Sequence, residues 1–183
     1  MIDATGFVKL IDFGFCKYML EDKTYTLCGT PGYLSPEAVL SQGHSHSADH
    51  WALGILTYEM LFASSPFFYD DIDQGELFAS IVDDPVPIPD GTAADASDLI
   101  SRLCDKSPQN RLGSRQENEV IEHAWFQGMD LGALLSRKVA PPWKPDVSGP
   151  LDSRNFQPDE EDQVDFPDRP LSKRDAQLFE GVF

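Results

Sequence analysis

From Trp51 to Ala63 (WALGILTYEMLFA) apolar residues fall on every side of a helical projection, and Glu59 is the only charged residue among them. That pattern predicts a helix buried on all sides, too short for the ~20 residues a membrane span needs. Ala94–Cys104 and Asn118–Phe126 repeat apolar residues at helical spacing with acids near the front, which predicts two amphipathic helices. Gly6–Ile11 (GFVKLI) reads as a short strand running into a turn at Asp12-Phe13-Gly14. Residues 18–36 hold Gly29, Pro31, Gly32 and Pro36 with no helical period, which predicts a long loop of the kind that carries function. The expected fold is therefore mainly α: a helical bundle around a buried central helix, with a short β-hairpin remnant at the start.

Composition sharpens this picture at the C-terminal end. Half of the 14 prolines lie between positions 141 and 170, and from Asp146 onward ten acids face four bases. Such a stretch buries too little apolar area to offset the ordering of its backbone. It reads as an extended tail over a folded body, with Phe156, Phe166, Phe179 and Phe183 as anchors. The whole chain of 183 residues carries a net charge of −17, which argues against a nucleic-acid partner. Cys16, Cys28 and Cys104 are odd in number and widely spaced, neither a disulfide framework nor a metal motif. That usage, with no apolar run long enough for a membrane span and no signal-peptide pattern, suits a cytoplasmic setting.

Two features carry potential chemistry. An ionised Glu59 inside an apolar helix is costly unless it is paired or reaches a cleft. It is either a structural carboxylate partnered by a core arginine or one aimed at a cationic ligand. His44, His46 and His50 (HSHSADH) have loop-like ligand spacing but no further ligand nearby, so they read as a solvated loop. Ser47 or Asp49 is the expected cap of the following helix.

Ordered motifs decide between the alternatives. Asp12-Phe13-Gly14 follows an apolar strand, and Ser35-Pro36-Glu37 lies 23 positions after Asp12. Cys28-Gly29-Thr30-Pro31-Gly32-Tyr33-Leu34 precedes the latter, Asp49-His50-Trp51-Ala52-Leu53-Gly54 opens the apolar helix, and Asn110-Arg111-Leu112-Gly113 comes later. The sequence resembles the C-terminal lobe of a eukaryotic serine/threonine protein kinase. Asp-Phe-Gly-Phe-Cys-Lys (12–17), Thr26-Leu27-Cys28-Gly29-Thr30-Pro31 and Pro66-Phe67-Phe68 narrow the resemblance to the AGC group, nearest its cAMP-dependent and next its cGMP-dependent kinases. Residues 1–126 then correspond to the lobe and 127–183 to that group's C-terminal extension.

The resemblance implies roles. Asp12 is similar to the magnesium-binding carboxylate and Phe13 to the family's packing switch. Thr26 resembles the activation-loop phosphosite, with Lys17 as a basic partner. The loop is one residue longer than in the cAMP-dependent kinases, which makes Thr24 a second candidate. Thr30 resembles the threonine that contacts the catalytic aspartate, and Leu27, Pro31 and Leu34 the pocket for the residue after the target. Glu59 matches the carboxylate that meets a substrate arginine, whereas Gly32 stands where cAMP-dependent kinases carry another substrate-binding glutamate. Glu37 and Arg111 resemble a buried structural ion pair, and Asp49 a helix-start anchor. In the tail, Phe156 resembles the aromatic that closes over adenine and Ser172 a phosphosite. Phe179 and Phe183 resemble the terminal docking motif, spaced by four where the family has three.

By the same resemblance the cofactors are ATP and Mg2+. The partners are protein substrates with arginine near the target, a cyclic-nucleotide-binding regulatory subunit or domain, and an upstream activating kinase. The 183 residues contain no Gly-rich phosphate loop, no phosphate-gripping lysine and no His-Arg-Asp loop, so no catalytic aspartate is assigned. The chain reads as a fragment of an active kinase, inactive alone. The alternative is a non-catalytic half-kinase or pseudokinase that acts as an interaction module.

Overall fold

A computed structural model describes residues 1–116, 118–149 and 151–156. These divide into two compact units, one spanning Ile11–Lys138 and the other joining Met1–Leu10 to the described residues from Val139 onward.

The larger unit is built on α2 (Ser47–Phe62), preceded by the one-turn α1 (Pro36–Val39) and followed by α3 (Gln74–Asp83), α4 (Ala94–Leu103) and the short α5 (Leu131–Leu135). The apolar run makes α2 long, and the helix ends where Ala63 turns left-handed at φ 54°. Its Trp51, Ile55 and Tyr58 pack with Phe67, with Leu77 and Ile81 of α3, and with Ile100 and Cys104 in and just after α4. A second cluster forms on the other side of α4, where Leu99 and Leu103 meet Leu112, Val120, Trp125 and Phe126. The two clusters share α4 because its apolar positions span a wide stripe (Ala96, Leu99, Ile100, Leu103).

Gly54 sets the distance between α2 and α4. A Cβ there would stand 2.5 Å from Cys104 Sγ and 2.9 Å from Leu103 Cβ. The glycine is a steric requirement of the crossing and not a flexible point. Helix α3 carried no clear expectation from the sequence. It is started by Asp73, whose carboxylate accepts from the Gly75 and Glu76 amides at 2.7 and 2.9 Å.

Several expectations are corrected. α2 is not buried on all sides: Leu53, Leu56 and Met60 lie at one face and are 38%, 42% and 69% exposed. A helix apolar all round says only that each face suits a dry partner, and among the described residues this face has none. Neither Ser47 nor Asp49 caps α2; His46 holds the cap position without a side-chain bond, and both residues lie inside the first turn. The stretch 118–126 forms turns and a 3-10 turn (Ala124–Phe126) in place of an α-helix. Side chains take the backbone bonds there. Glu119 accepts from the Gly113 and Arg115 amides, and His123 Nδ1 accepts from the Trp125 amide at 3.2 Å while its Nε2 meets Asp98 at 2.9 Å.

In the smaller unit the expected strand at Gly6–Ile11 reduces to one antiparallel bridge, Ile2 to Val8. Asp3 closes the turn by accepting from the Thr5 and Phe7 amides. At Gly6 (φ 90°) a Cβ would come within 2.6 Å of both Pro141 and the Trp143 carbonyl. In the described part of the tail, Asp152 accepts from Ser148 (amide and hydroxyl) and from the Arg154 amide, which holds its carboxyl down at about 2. Ser172, Phe179 and Phe183, like Phe166, lie outside the described residues. No helix of the described residues is long and apolar enough to cross a membrane.

Candidate functional site

The loop between Asp12 and Ser35 carries most of the motif residues. Asp12 is exposed and left-handed at φ 60°, with Oδ1 accepting from the Gly14 amide at 3.2 Å. That turn presents a carboxylate to solvent, as a hard oxygen ligand requires. Phe13 is 66% exposed and packs into neither hydrophobic cluster. No group of three or more His, Cys, Asp or Glu among the described residues could hold a metal, the histidines at 44, 46 and 50 included. Asp12 belongs to no such group among the described residues.

Downstream, Lys17 Nζ donates to Thr24 Oγ1 at 2.8 Å. Thr24 is only 9% exposed, whereas Thr26 is exposed. A cavity of about 250 Å³ gathers Thr26, Thr30 and Leu34 with His44 and Asp49. Leu27 and Pro31 are exposed outside its lining. The 3-10 turn Pro31–Tyr33 buries Gly32. A Cβ at Gly32 would meet only Phe68 Cβ at 3.8 Å and Ser65 Oγ at 3.9 Å. A larger side chain therefore has room to start there.

Glu59 lies near the end of α2, half-buried, and its Oε2 accepts from the Tyr33 hydroxyl. Its partner is thus a hydroxyl and not a core arginine. The hydrogen bond to Glu59, with burial and the carboxylate's charge adding to it, pushes the Tyr33 hydroxyl up to about 12, so it remains a donor at physiological pH. Tyr33 orients Glu59. Sequence spacing could not reveal this contact, because the two residues are far apart in the chain and tyrosine is equally at home in a core. Tyr33→Phe removes the donor and is expected to cost about 1 kcal/mol in urea denaturation. A loss under 0.3 kcal/mol would mean the contact is not maintained in solution.

Glu37 and Arg111 meet in a bidentate pair, Nη1–Oε1 at 2.7 Å and Nη2–Oε2 at 2.9 Å. Arg111 also donates to the carbonyls of Ser47 and Asp105 and stands 5.3 Å from the centre of the Trp51 ring. Lys106, which carried no expectation, lies over Trp51 and Phe67 at 5.0 and 4.6 Å and donates to the Ile81 carbonyl. Asp49 is exposed in the first turn of α2 and faces the cavity beside Thr26. In the other unit, Phe156 is 57% exposed. Burial pushes the Cys104 thiol up to about 12, so it is inert; Cys16 and Cys28 are free and exposed.

Residues 1–126 match the family described as "Protein kinase domain". The chain is 40% identical over 158 residues to serine/threonine-protein kinase gad8 of Schizosaccharomyces pombe, covering 85% of this chain and 27% of that protein. It is 39% identical over 183 residues to the human cAMP-dependent protein kinase catalytic subunit PRKX, covering 99% of this chain and 50% of the relative. With the cAMP-dependent protein kinase catalytic subunit of Dictyostelium discoideum it shares 42% identity over 170 residues, 91% of this chain and 26% of the relative. The chain thus spans between about a quarter and a half of the length of these curated relatives.

Proposed function

The chain belongs to the protein kinase domain family, on its serine/threonine, AGC-type branch, and from this premise we propose that it forms the substrate-binding lobe of an enzyme moving the γ-phosphoryl of ATP to serine or threonine in arginine-containing proteins. The observation that carries the substrate reading is Glu59, a half-buried carboxylate whose partner is a hydroxyl donor and not a cation. Arginine pairs with carboxylates through a planar fork, so a substrate guanidinium suits it.

ATP and Mg2+ belong to the same reading. Asp12 would supply one oxygen to the magnesium, which neutralises developing charge on the transferred phosphoryl. The cavity-lining Thr30 and Leu34, with the exposed Leu27 and Pro31, would meet the substrate around its target hydroxyl. Thr26 would be phosphorylated by an upstream kinase. Regulation by a cyclic-nucleotide-binding subunit or domain, and a cytoplasmic location, complete the proposal. The lobe would occupy residues 1–126 and the AGC extension 127–183.

The test uses a protein in which a nucleotide-binding lobe precedes this chain. Glu59→Gln keeps the shape and removes the charge. It is expected to lower kcat/KM at least tenfold for a peptide with arginine two residues before the target, about 1.4 kcal/mol. A peptide with alanine there should be nearly unaffected. Equal losses on both peptides would make Glu59 structural and remove the support for arginine selection. The 183 residues by themselves are expected to show no turnover with ATP, magnesium and the arginine peptide. Turnover above background that Asp12→Ala abolishes would contradict this.

A further inference from the structure

The loop carrying Thr26 is stitched to the segment before α2 by one antiparallel bridge. The Thr24 amide donates to the His44 carbonyl and the His44 amide to the Thr24 carbonyl, both at 2.9 Å. Directly opposed residues of an antiparallel pair project to the same face, and a residue two further on returns to it. Thr24, His44 and Thr26 accordingly share a side, and Thr26 and His44 line one cavity of about 250 Å³. Lys17 reaches that side as well, through its 2.8 Å bond to Thr24 Oγ1. The exposed Thr26 thus shares a cavity with an imidazole, and a lysine is bonded two residues before it in the chain.

We propose that His44 is a phosphate-receiving residue: with Lys17, it clamps a phosphate carried on Thr26 and so fastens the activation loop to the front of α2. The inference rests on the reading of Thr26 as the phosphorylated residue. In that modification Thr26 Oγ1 bonds the γ-phosphorus of ATP, the bond to the ADP oxygen breaks, and the hydroxyl proton is released. The phosphate brings nearly two negative charges and three acceptor oxygens.

Imidazole fits the task because it donates one N–H when neutral and two when protonated, so an arriving dianion can draw a proton onto it. The other ionisable groups on this cavity are Asp49, Cys28 and Tyr33. On its other side His44 borders a second cavity with Asp22, Lys23, Glu37 and His46. Asp49 lines the same cavity as Thr26 and opposes an anion there, so a phosphate on Thr26 calls for a donor partner beside it. Lys23, on that second cavity, donates to the Gln42 carbonyl at 3.2 Å.

The experiment installs phosphothreonine at position 26 synthetically in the full 183-residue chain, so the result does not depend on any kinase choosing that residue. Trypsin cleavage after Lys23 is followed with and without the phosphate. Protection of about tenfold is expected in the unsubstituted chain, the scale of one charge-assisted contact. His44→Arg should retain it and His44→Gln should lose most of it. Nitrogen-15 NMR supplies a reading that does not depend on the variants' folding. The His44 ring nitrogens should move toward imidazolium values when the phosphate is present. No protection in the unsubstituted chain, equal protection in His44→Gln, or unmoved ring nitrogens would each overturn the assignment. Labelling of the unmodified chain by an upstream kinase at a residue other than Thr26 would separately sink the phosphosite reading.

Discussion

Arg111→Met is expected to destabilise the larger unit by about 3–5 kcal/mol, because it strands the Glu37 carboxylate in a site that is 3% exposed. A domain is typically stable by only ~5–15 kcal/mol, so the variant should unfold near room temperature or in very little urea. Arg111 does more than neutralise: it serves both carboxylate oxygens and two backbone carbonyls, Ser47 and Asp105, that would otherwise lie buried beside it. Glu37→Gln should be milder, since the amide still accepts one of the two hydrogen bonds. The double variant Glu37→Leu/Arg111→Met should recover much of the loss, as apolar replacements of buried pairs commonly do. A single-variant loss under 1 kcal/mol would show that water reaches the pair in solution.

The pair also dictates a pH dependence. Burial alone would push Glu37 up, but the hydrogen bonds and charge of Arg111 outweigh it and hold the carboxyl below its ordinary range. A depressed folded-state value means that this stability is fully present above the ordinary glutamate pKa and is lost as pH falls through the lower folded one. Urea midpoints should therefore fall on acidification below about pH 4.5 in the unsubstituted chain. The slope should be smaller in the double variant.

Gly54→Val is expected to cost about 3 kcal/mol through overpacking. Replacing glycine within a helix ordinarily gains ~0.5–1 kcal/mol in backbone entropy, so a loss here isolates the steric term. The first added carbon would stand 2.5 Å from Cys104 Sγ and 2.9 Å from Leu103 Cβ. The sulfur can be removed, whereas Leu103 Cβ is bonded directly to the α4 backbone and moves only with the helix. Cys104→Ala should restore part of the stability of Gly54→Val and not all of it. Full restoration would place the conflict at the sulfur alone, and a neutral single variant would mean that α2 and α4 separate freely.

Motif order along the chain made the kinase lobe legible, because each motif carries its own local geometry: the turn after Asp12, the 3-10 turn at Pro31, the apolar run of α2. Contacts across the fold were less readable. Tyr33 as the partner of Glu59, and Lys106 over Trp51 and Phe67, follow from how α2 lies against its neighbours, and no spacing encodes that. Periodicity misled at 118–126, where Glu119 and His123 offer the backbone a different set of bonds. The same limit applies to α2, since an apolar circumference records what a helix tolerates on each side and not what covers it.

The uncovered face of α2 has a bearing on handling. Leu53, Leu56 and Met60 form an adhesive strip on a polypeptide of net charge −17. At low ionic strength mutual repulsion between copies works against contact through that strip. Salt shortens the reach of the repulsion to ~10 Å at 0.1 M while leaving apolar attraction intact. Clumping in concentrated solution should consequently grow with added sodium chloride, opposite to the response of proteins that associate through opposite charges, and dilute low-salt buffer should be the gentler storage condition.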